Sequence, residues 1–119
     1  MAVEATPLAG IPEVREGDDL AALIAAAAGE EFRPGDVVVV AHKVVSKAEG
    51  AVVDLATVRP TSRARFLANE HGKDPRAVQV VLDQSAAIVR AHAGVLICRT
   101  RHGFVCANAG VDASNAGGD

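Results

Sequence analysis

The sequence predicts an α+β fold: mixed, largely antiparallel strands with about three helices packed on them. Three observations lead there. Apolar residues recur at helical spacing in residues 20–28, 61–71 and 74–82. Runs rich in β-branched residues stand at 37–41, 86–91, 94–100 and 104–108, and Arg101, His102 and Gly103 break the last two into a hairpin. Two helical stretches also follow one another with no strand between them, which strict βαβ alternation does not allow.

Taken in order, residues 3–8 read as a short first strand, stopped by Pro7 or by the Gly10-Ile11-Pro12 turn. Residues 11–14 then form a rigid lead into the first helix, either a plain connector or a backbone edge against which a purine could be recognised. Asp18 or Asp19 caps that helix, and both carboxylates suit its positive end. Capping accounts for this acidic pair without a paired-carboxylate site. Leu20, Leu23, Ile24 and Ala27 make one apolar stripe, and Gly29 is the stop.

After the turn at residues 33–36, residues 37–41 are long enough and apolar enough for a fully buried strand. His42, Lys43, Ser46 and Lys47 follow it directly. Two lysines and a serine beyond a strand end are an anion site or a solvated surface, and neither a GxxxxGK[ST] nor a GxGxxG pattern occurs to decide. Residues 51–55 read as another strand. Thr61 or Ser62 opens a helix with Ala64, Leu67 and Ala68 inward and Gly72 as its close. His71, at its end, is placed to meet the free carbonyls there. Asp74 and Pro75 start the third helix, with Ala77, Val78, Val81 and Leu82 inward.

The strand at 86–91 and the hairpin arms 94–100 and 104–108 complete the elements. Arg99, Arg101 and His102 at the hairpin tip serve as charged protection of a sheet edge. The stretch beyond is rich in small residues and carries Asn108, Gly110, Asp112 and Asn115. Gly110 supplies a positive φ, while Asp112 is either a turn residue bonding its own backbone or a metal ligand.

Composition removes several functions. With 119 residues the chain is one domain's worth, and its formal charge of −3 offers no basic surface for nucleic acid. Aromatics are only 3%, with neither Trp nor Tyr, so stacking platforms for single strands are absent and the core must be aliphatic. Nothing approaches the ~20 apolar residues of a membrane span, and the N-terminus has no signal-peptide pattern. A cytoplasmic protein is expected. Cys98 and Cys106 lie on the two arms of the predicted hairpin and read as free thiols of a reducing compartment, with a cross-hairpin disulfide as the alternative. No CxxC or His-Cys cluster supports zinc.

Three blocks carry a resemblance: GIPEVREGDDL from Gly10, KVVSKAEG from Lys43 and GFVCANAGVDASN from Gly103. Together, and in this order, they resemble the coenzyme F-420-0:L-glutamate ligase family, enzymes that add γ-linked glutamates to the deazaflavin coenzyme F-420. The resemblance implies that residues 1–119 are the N-terminal portion of the ligase domain, part of a larger ligase fold whose C-terminal remainder is absent. It implies GTP as co-substrate, Mg²⁺ or Mn²⁺ with K⁺ as a further cation, F-420-0 and L-glutamate as substrates, and a homodimer. It assigns nucleotide contacts to Ile11, Pro12, Glu13, Val14, His42, Lys43, Lys47 and Asn115, and a metal-ligand role to Asp112. It names no catalytic acid or base.

That chemistry suits the residue types. Forming an amide from a carboxylate requires activation, and phosphoryl transfer relies on positioning and on cations that neutralise phosphate oxygens. Lysine supplies a point charge to phosphate, and carboxylate is the hard ligand that Mg²⁺ prefers. One carboxylate does not hold a catalytic metal pair, so the chain alone is expected to have little ligase activity. The alternative expectation is a non-catalytic dimerisation or nucleotide-binding module. A parent protein with a fused flavin reductase-like domain is a further option.

Overall fold

The computed structural model describes residues 1–113. Asn115, with the other residues of 114–119, lies outside the described residues. The chain divides into two compact units, Met1–Val52 and Val53–Asp119.

The first unit carries two helices, α1 (Leu20–Ala28) and α2 (His42–Ala48). The cap of α1 is Asp19, whose carboxylate accepts the Ala22 N–H at 3.0 Å, while Asp18 accepts the Arg15 N–H at 2.8 Å. Both acids are therefore consumed in ordering the helix start. The predicted stripe Leu20, Leu23, Ile24, Ala27 is half-buried, and Ala28 is buried behind it. Gly29, at φ 58°, ends the helix as expected.

Helix α2 was not anticipated: residues 42–48 were read only as a lysine-bearing stretch following a strand, with no element assigned. Its end explains the difference. Gly50, at φ 69°, donates to the Lys47 carbonyl at 3.1 Å, and Ala51 donates to the Ser46 carbonyl at 2.8 Å. That pair of bonds is a Schellman close, which requires a residue tolerant of positive φ at the glycine position. The Ala48-Glu49-Gly50 sequence is thus a helix terminator.

Three expected strands, at residues 3–8, 37–41 and 51–55, are not strands either. Val37 and Val39 are 83% and 90% exposed, so the run anticipated as fully buried is largely in solvent. A strand exists only when a neighbour satisfies its backbone donors and acceptors, and no described segment pairs with this run. Residues 51–55 instead lead into a short 3₁₀ turn, Leu55–Thr57, capped by Asp54.

The second unit follows expectation closely. Helices α3 (Ser62–His71) and α4 (Pro75–Asp83) precede the antiparallel meander β1 (Ser85–His92), β2 (Val95–Thr100), β3 (Val105–Ala107). The described helices are therefore four rather than about three. Thr61 caps α3, and its N–H and hydroxyl both donate to Gln79 Oε1 at 2.8 Å, fastening the start of α3 to the middle of α4. Asp74 caps α4 ahead of Pro75 and forms an ion pair with Arg76 at 2.8 Å. The Arg76 guanidinium, donating to Asp74, holds that carboxyl below its ordinary range.

Ala64 and Ala68 of α3, Val78 and Val81 of α4, and Leu96 and Cys98 of β2 form the core, with Ala109 against them. Alanines on α3 let α4 approach closely, and valines and leucine fill the space where aromatics are lacking. Burying one such aliphatic side chain contributes about 1.5–3 kcal/mol. Cys98 pairs with Cys106 across β2 and β3, and both thiols are free. Where His71 was expected to meet free carbonyls of its own helix, its Nδ1 instead accepts the Gly94 N–H at 3.1 Å.

Candidate functional site

Two places in the described chain have features of a site, one in each unit. In the first unit, a groove of about 1050 Å³ runs beside α1 and α2. The backbone segment before α1 forms one wall, and that segment is tied to the end of α2 twice. Gly17 donates its N–H to the Ala48 carbonyl at 3.0 Å, and Lys47 Nζ donates to Glu13 Oε1 at 2.6 Å. The turn between them is closed by Asp18, which takes the Arg15 N–H while its own N–H donates to the Arg15 carbonyl. Gly50 lies beside this segment at φ 69°, a conformation that favours glycine, and a Cβ there would also push aside the end of the exposed Glu16 side chain.

Ile11, Pro12, Glu13, Val14, Lys43 and Lys47 all line this groove. Six of the seven nucleotide-contact candidates in this unit are thus on one concavity, although two sequence blocks about thirty residues apart supply them. The seventh, His42, is exposed at the first position of α2 and outside the lining. Lys43 and Lys47 stand four residues apart on α2, so they share a helix face. Leu20, Ile24 and Val44 add apolar lining. An apolar cleft with lysines on one wall fits a ligand that is flat and apolar at one end and anionic at the other.

The electrostatics centre on the Glu13–Lys47 pair. The Lys47 side chain is only 18% exposed, against 71% for Glu13. The hydrogen bond from Lys47, and next its charge, hold the Glu13 carboxyl below its ordinary value. The cation is set into the wall and the acid lies over it from solvent.

In the second unit, the chain leaves β3 through a 3₁₀ turn, Asn108–Gly110. Asn108, Ala109 and Gly110 have φ of 54°, 52° and 75°, three successive left-handed residues of which only one is glycine. Such backbone strain costs about 1–3 kcal/mol per residue and needs surroundings that enforce it. Burial of Ala109 in the core is that enforcement. Asn108 Oδ1 is buried and accepts no hydrogen bond among the described residues. Asp112 follows, exposed, two residues beyond the turn. The sequence reading anticipated the positive φ at Gly110 but gave no signal for Asn108 and Ala109. Asparagine's tolerance of that conformation was the available hint.

A divalent cation needs several oxygen ligands. Among the described residues no three His, Cys, Asp or Glu come together as a metal-binding group. Asp112 can supply one hard ligand, and the described residues alone do not complete a metal site.

No helix of the described chain is long and apolar enough to cross a membrane. The family described as F420-0:Gamma-glutamyl ligase matches residues 10–119. Among curated proteins, the chain is 53% identical over 104 residues to the coenzyme F420:L-glutamate ligase of Methanopyrus kandleri, covering 87% of this chain and 40% of that protein. It is 42% identical over 118 residues to the enzyme of the same name from Methanothermobacter thermautotrophicus, covering 97% of this chain and 47% of that one. The corresponding Archaeoglobus fulgidus protein is 43% identical over 115 residues, with 97% and 45% covered. The chain therefore spans less than half the length of these relatives. A match over nearly all of its residues, at such identities, makes this chain a member of the F420-0:gamma-glutamyl ligase family.

Proposed function

We propose that this chain provides the nucleotide-contacting part of a GTP-dependent ligase that joins L-glutamate to coenzyme F-420-0. The observation that carries the reading is the shared groove of Ile11, Pro12, Glu13, Val14, Lys43 and Lys47. The names of the relatives support the ligase class and its substrates.

In the proposed reaction the γ-phosphoryl group of GTP passes to the terminal carboxylate of F-420-0, giving an acyl phosphate and GDP. The α-amine of glutamate attacks the acyl carbon, an amide forms, and inorganic phosphate leaves. Later rounds use the γ-carboxylate of the glutamate already added. Within this scheme the residues at 11–14 cradle the base, while Lys43 and Lys47 meet phosphate oxygens as point charges. Asp112 offers a carboxylate to Mg²⁺ or Mn²⁺, and Asn115 an amide to the nucleotide. Divalent cations, when bound, neutralise phosphate charge, and further ligands beyond Asp112 are needed to hold them.

The test is glutamate addition, followed by mass spectrometry of F-420-0 incubated with L-glutamate, GTP and Mn²⁺. The samples are the 119-residue chain, a full-length ligase beginning with it, and that ligase carrying Asp112→Asn. Addition by the full-length protein, absent in the variant and in the chain alone, is expected. No addition by folded full-length protein overturns the reading. A second reading, a non-catalytic module that associates with copies of itself, is favoured by the exposure of Val37 and Val39. Metal-independent dimerisation without GTP binding, seen by sedimentation and calorimetry, would favour it.

A further inference from the structure

We propose that the open face of the β1–β2–β3 sheet binds the γ-glutamyl tail of the growing coenzyme, with Arg90 and Arg99 as the groups that take its α-carboxylates. The inference rests on the ligase reading and concerns its later rounds. Extension through the γ-carboxylate of an added glutamate leaves the α-carboxylate of that glutamate free. Each round therefore adds one fixed negative charge to the substrate, and guanidinium is the planar partner that carboxylate favours.

Charge complementarity points to such an occupant. Residues 85–111, which span the sheet and the turn after it, hold three arginines, two histidines and no Asp or Glu, in a chain whose formal charge is −3. Among the described residues, no side-chain hydrogen bond or ion pair engages Arg90, Arg99 or Arg101. Protection of a sheet edge does not account for Arg99, because the strand order β1-β2-β3 makes β2 the central strand.

Register sets the spacing. Leu96, Cys98 and Thr100 are the buried residues of β2, so Ile97 and Arg99 lie on the opposite face. A register shift in β1 sets Arg90 opposite Ile97, where an unbroken ladder puts Val89. Arg90 and Arg99 are therefore diagonal neighbours on the open face, about 7–8 Å apart at the backbone. Five bonds of about 1.3–1.5 Å per repeat advance an extended γ-glutamyl chain by about 6 Å, and arginine side chains span the difference. Ala87 and Val105, paired on either side of Arg99, offer the methylenes of the tail an apolar floor. Direction agrees as well. Ala107 stands opposite Ile97, in the row of Arg90, and the chain runs from there through the Asn108–Gly110 turn to Asp112. Arg99 is one row further from that end, and Arg101 lies beyond it. The arginines thus lead away from the end nearest Asp112, as older glutamates lead away from the reacting carboxylate.

The test is steady-state kinetics of a full-length ligase beginning with this chain, using F-420-0 and the coenzyme already carrying one glutamate. Wild type is compared with Arg90→Gln/Arg99→Gln and Arg90→Lys/Arg99→Lys, with folding checked by circular dichroism. Loss of exposed ion contacts in the Gln variant is expected to raise KM for the glutamylated substrate about threefold or more beyond any change for F-420-0, with little effect on kcat. The Lys variant should keep most of the affinity, and mass spectra of the Gln variant's products should show shorter tails. Equal changes in KM for the two substrates, or none, overturn the tail site and leave the ligase reading standing. So does a wild-type protein that extends F-420-0 but not the glutamylated coenzyme. A wild-type dimer that the Gln substitutions split, seen by sedimentation, overturns the tail site and gives this face to a second copy. No glutamate addition by folded wild type overturns both readings.

Discussion

The Nδ1 atom of His71, in the last turn of α3, accepts the backbone N–H of Gly94 at 3.1 Å, joining a helix end to the turn between β1 and β2. Twenty-three residues separate the partners, so the bond forms only once α3 has packed beside the hairpin. It satisfies a donor that a tight turn would otherwise leave to solvent.

Replacing His71 with Ala should therefore destabilise the second unit by about 0.5–1.5 kcal/mol, the usual net worth of one such bond. Urea unfolding monitored by circular dichroism checks it. His71→Phe, which keeps bulk but removes the acceptor, should lose about as much or more, since the Gly94 donor then has no partner. Equal stability of both variants and wild type would show that the bond contributes nothing.

The same turn contains Ala93 at φ 50° followed by Gly94 at φ 83°, with His92 and Val95 paired on either side. A two-residue hairpin with both φ positive favours asparagine followed by glycine. Ala93 is exposed, so Ala93→Asn removes strain without disturbing packing. A gain of about 0.5–1 kcal/mol is expected in the same unfolding assay.

Core and surface apolar residues should behave oppositely. Leu96 is fully buried at the centre of the second unit, and Leu96→Ala should cost about 2–5 kcal/mol. Small domains are stable by only about 5–15 kcal/mol, so this variant should unfold at a markedly lower urea concentration than wild type. Val39→Thr, at a position 90% exposed, should move stability by less than about 0.5 kcal/mol. Light scattering should show less self-association in that variant, because the exposed valine run is interrupted.

The Glu13 carboxyl should titrate below its ordinary value of 4.5, chiefly because Lys47 donates a hydrogen bond to it and secondarily because of the lysine's charge. A carboxyl whose pKa is depressed on folding stabilises the folded state above its unfolded pKa. That contribution is lost as pH falls through the depressed folded value. The pair is thus intact at neutral pH and opens only in acid. In Lys47→Gln the titration should return toward 4.5, read from the Glu13 carboxyl ¹³C shift.

What the sequence determined by itself was local. Caps at Asp19, Thr61 and Asp74, stops at Gly29 and Gly72, and the helical spacing of Ala64, Ala68, Val78 and Val81 each depend on residues within a few positions. The hairpin around Gly103 was legible for the same reason: neighbouring strands joined by a short turn carry their partner with them. The resemblance in three blocks also identified the family that the comparisons show.

Tertiary structure decided the rest. Residues 37–41 look like a buried strand, yet pairing depends on a partner that no local pattern specifies, and none of the described segments provides one. Helix α2, to which the sequence reading gave no element, is closed at its end by the Schellman bonds around Gly50. Above all, the meeting of Glu13 with Lys47, 34 residues apart, follows from the seating of the 11–17 segment against α2. Residue types named the chemistry available to each block. Only packing brought the two blocks to one groove, because long-range contacts are selected by the whole unit's burial and backbone satisfaction and not by either block alone.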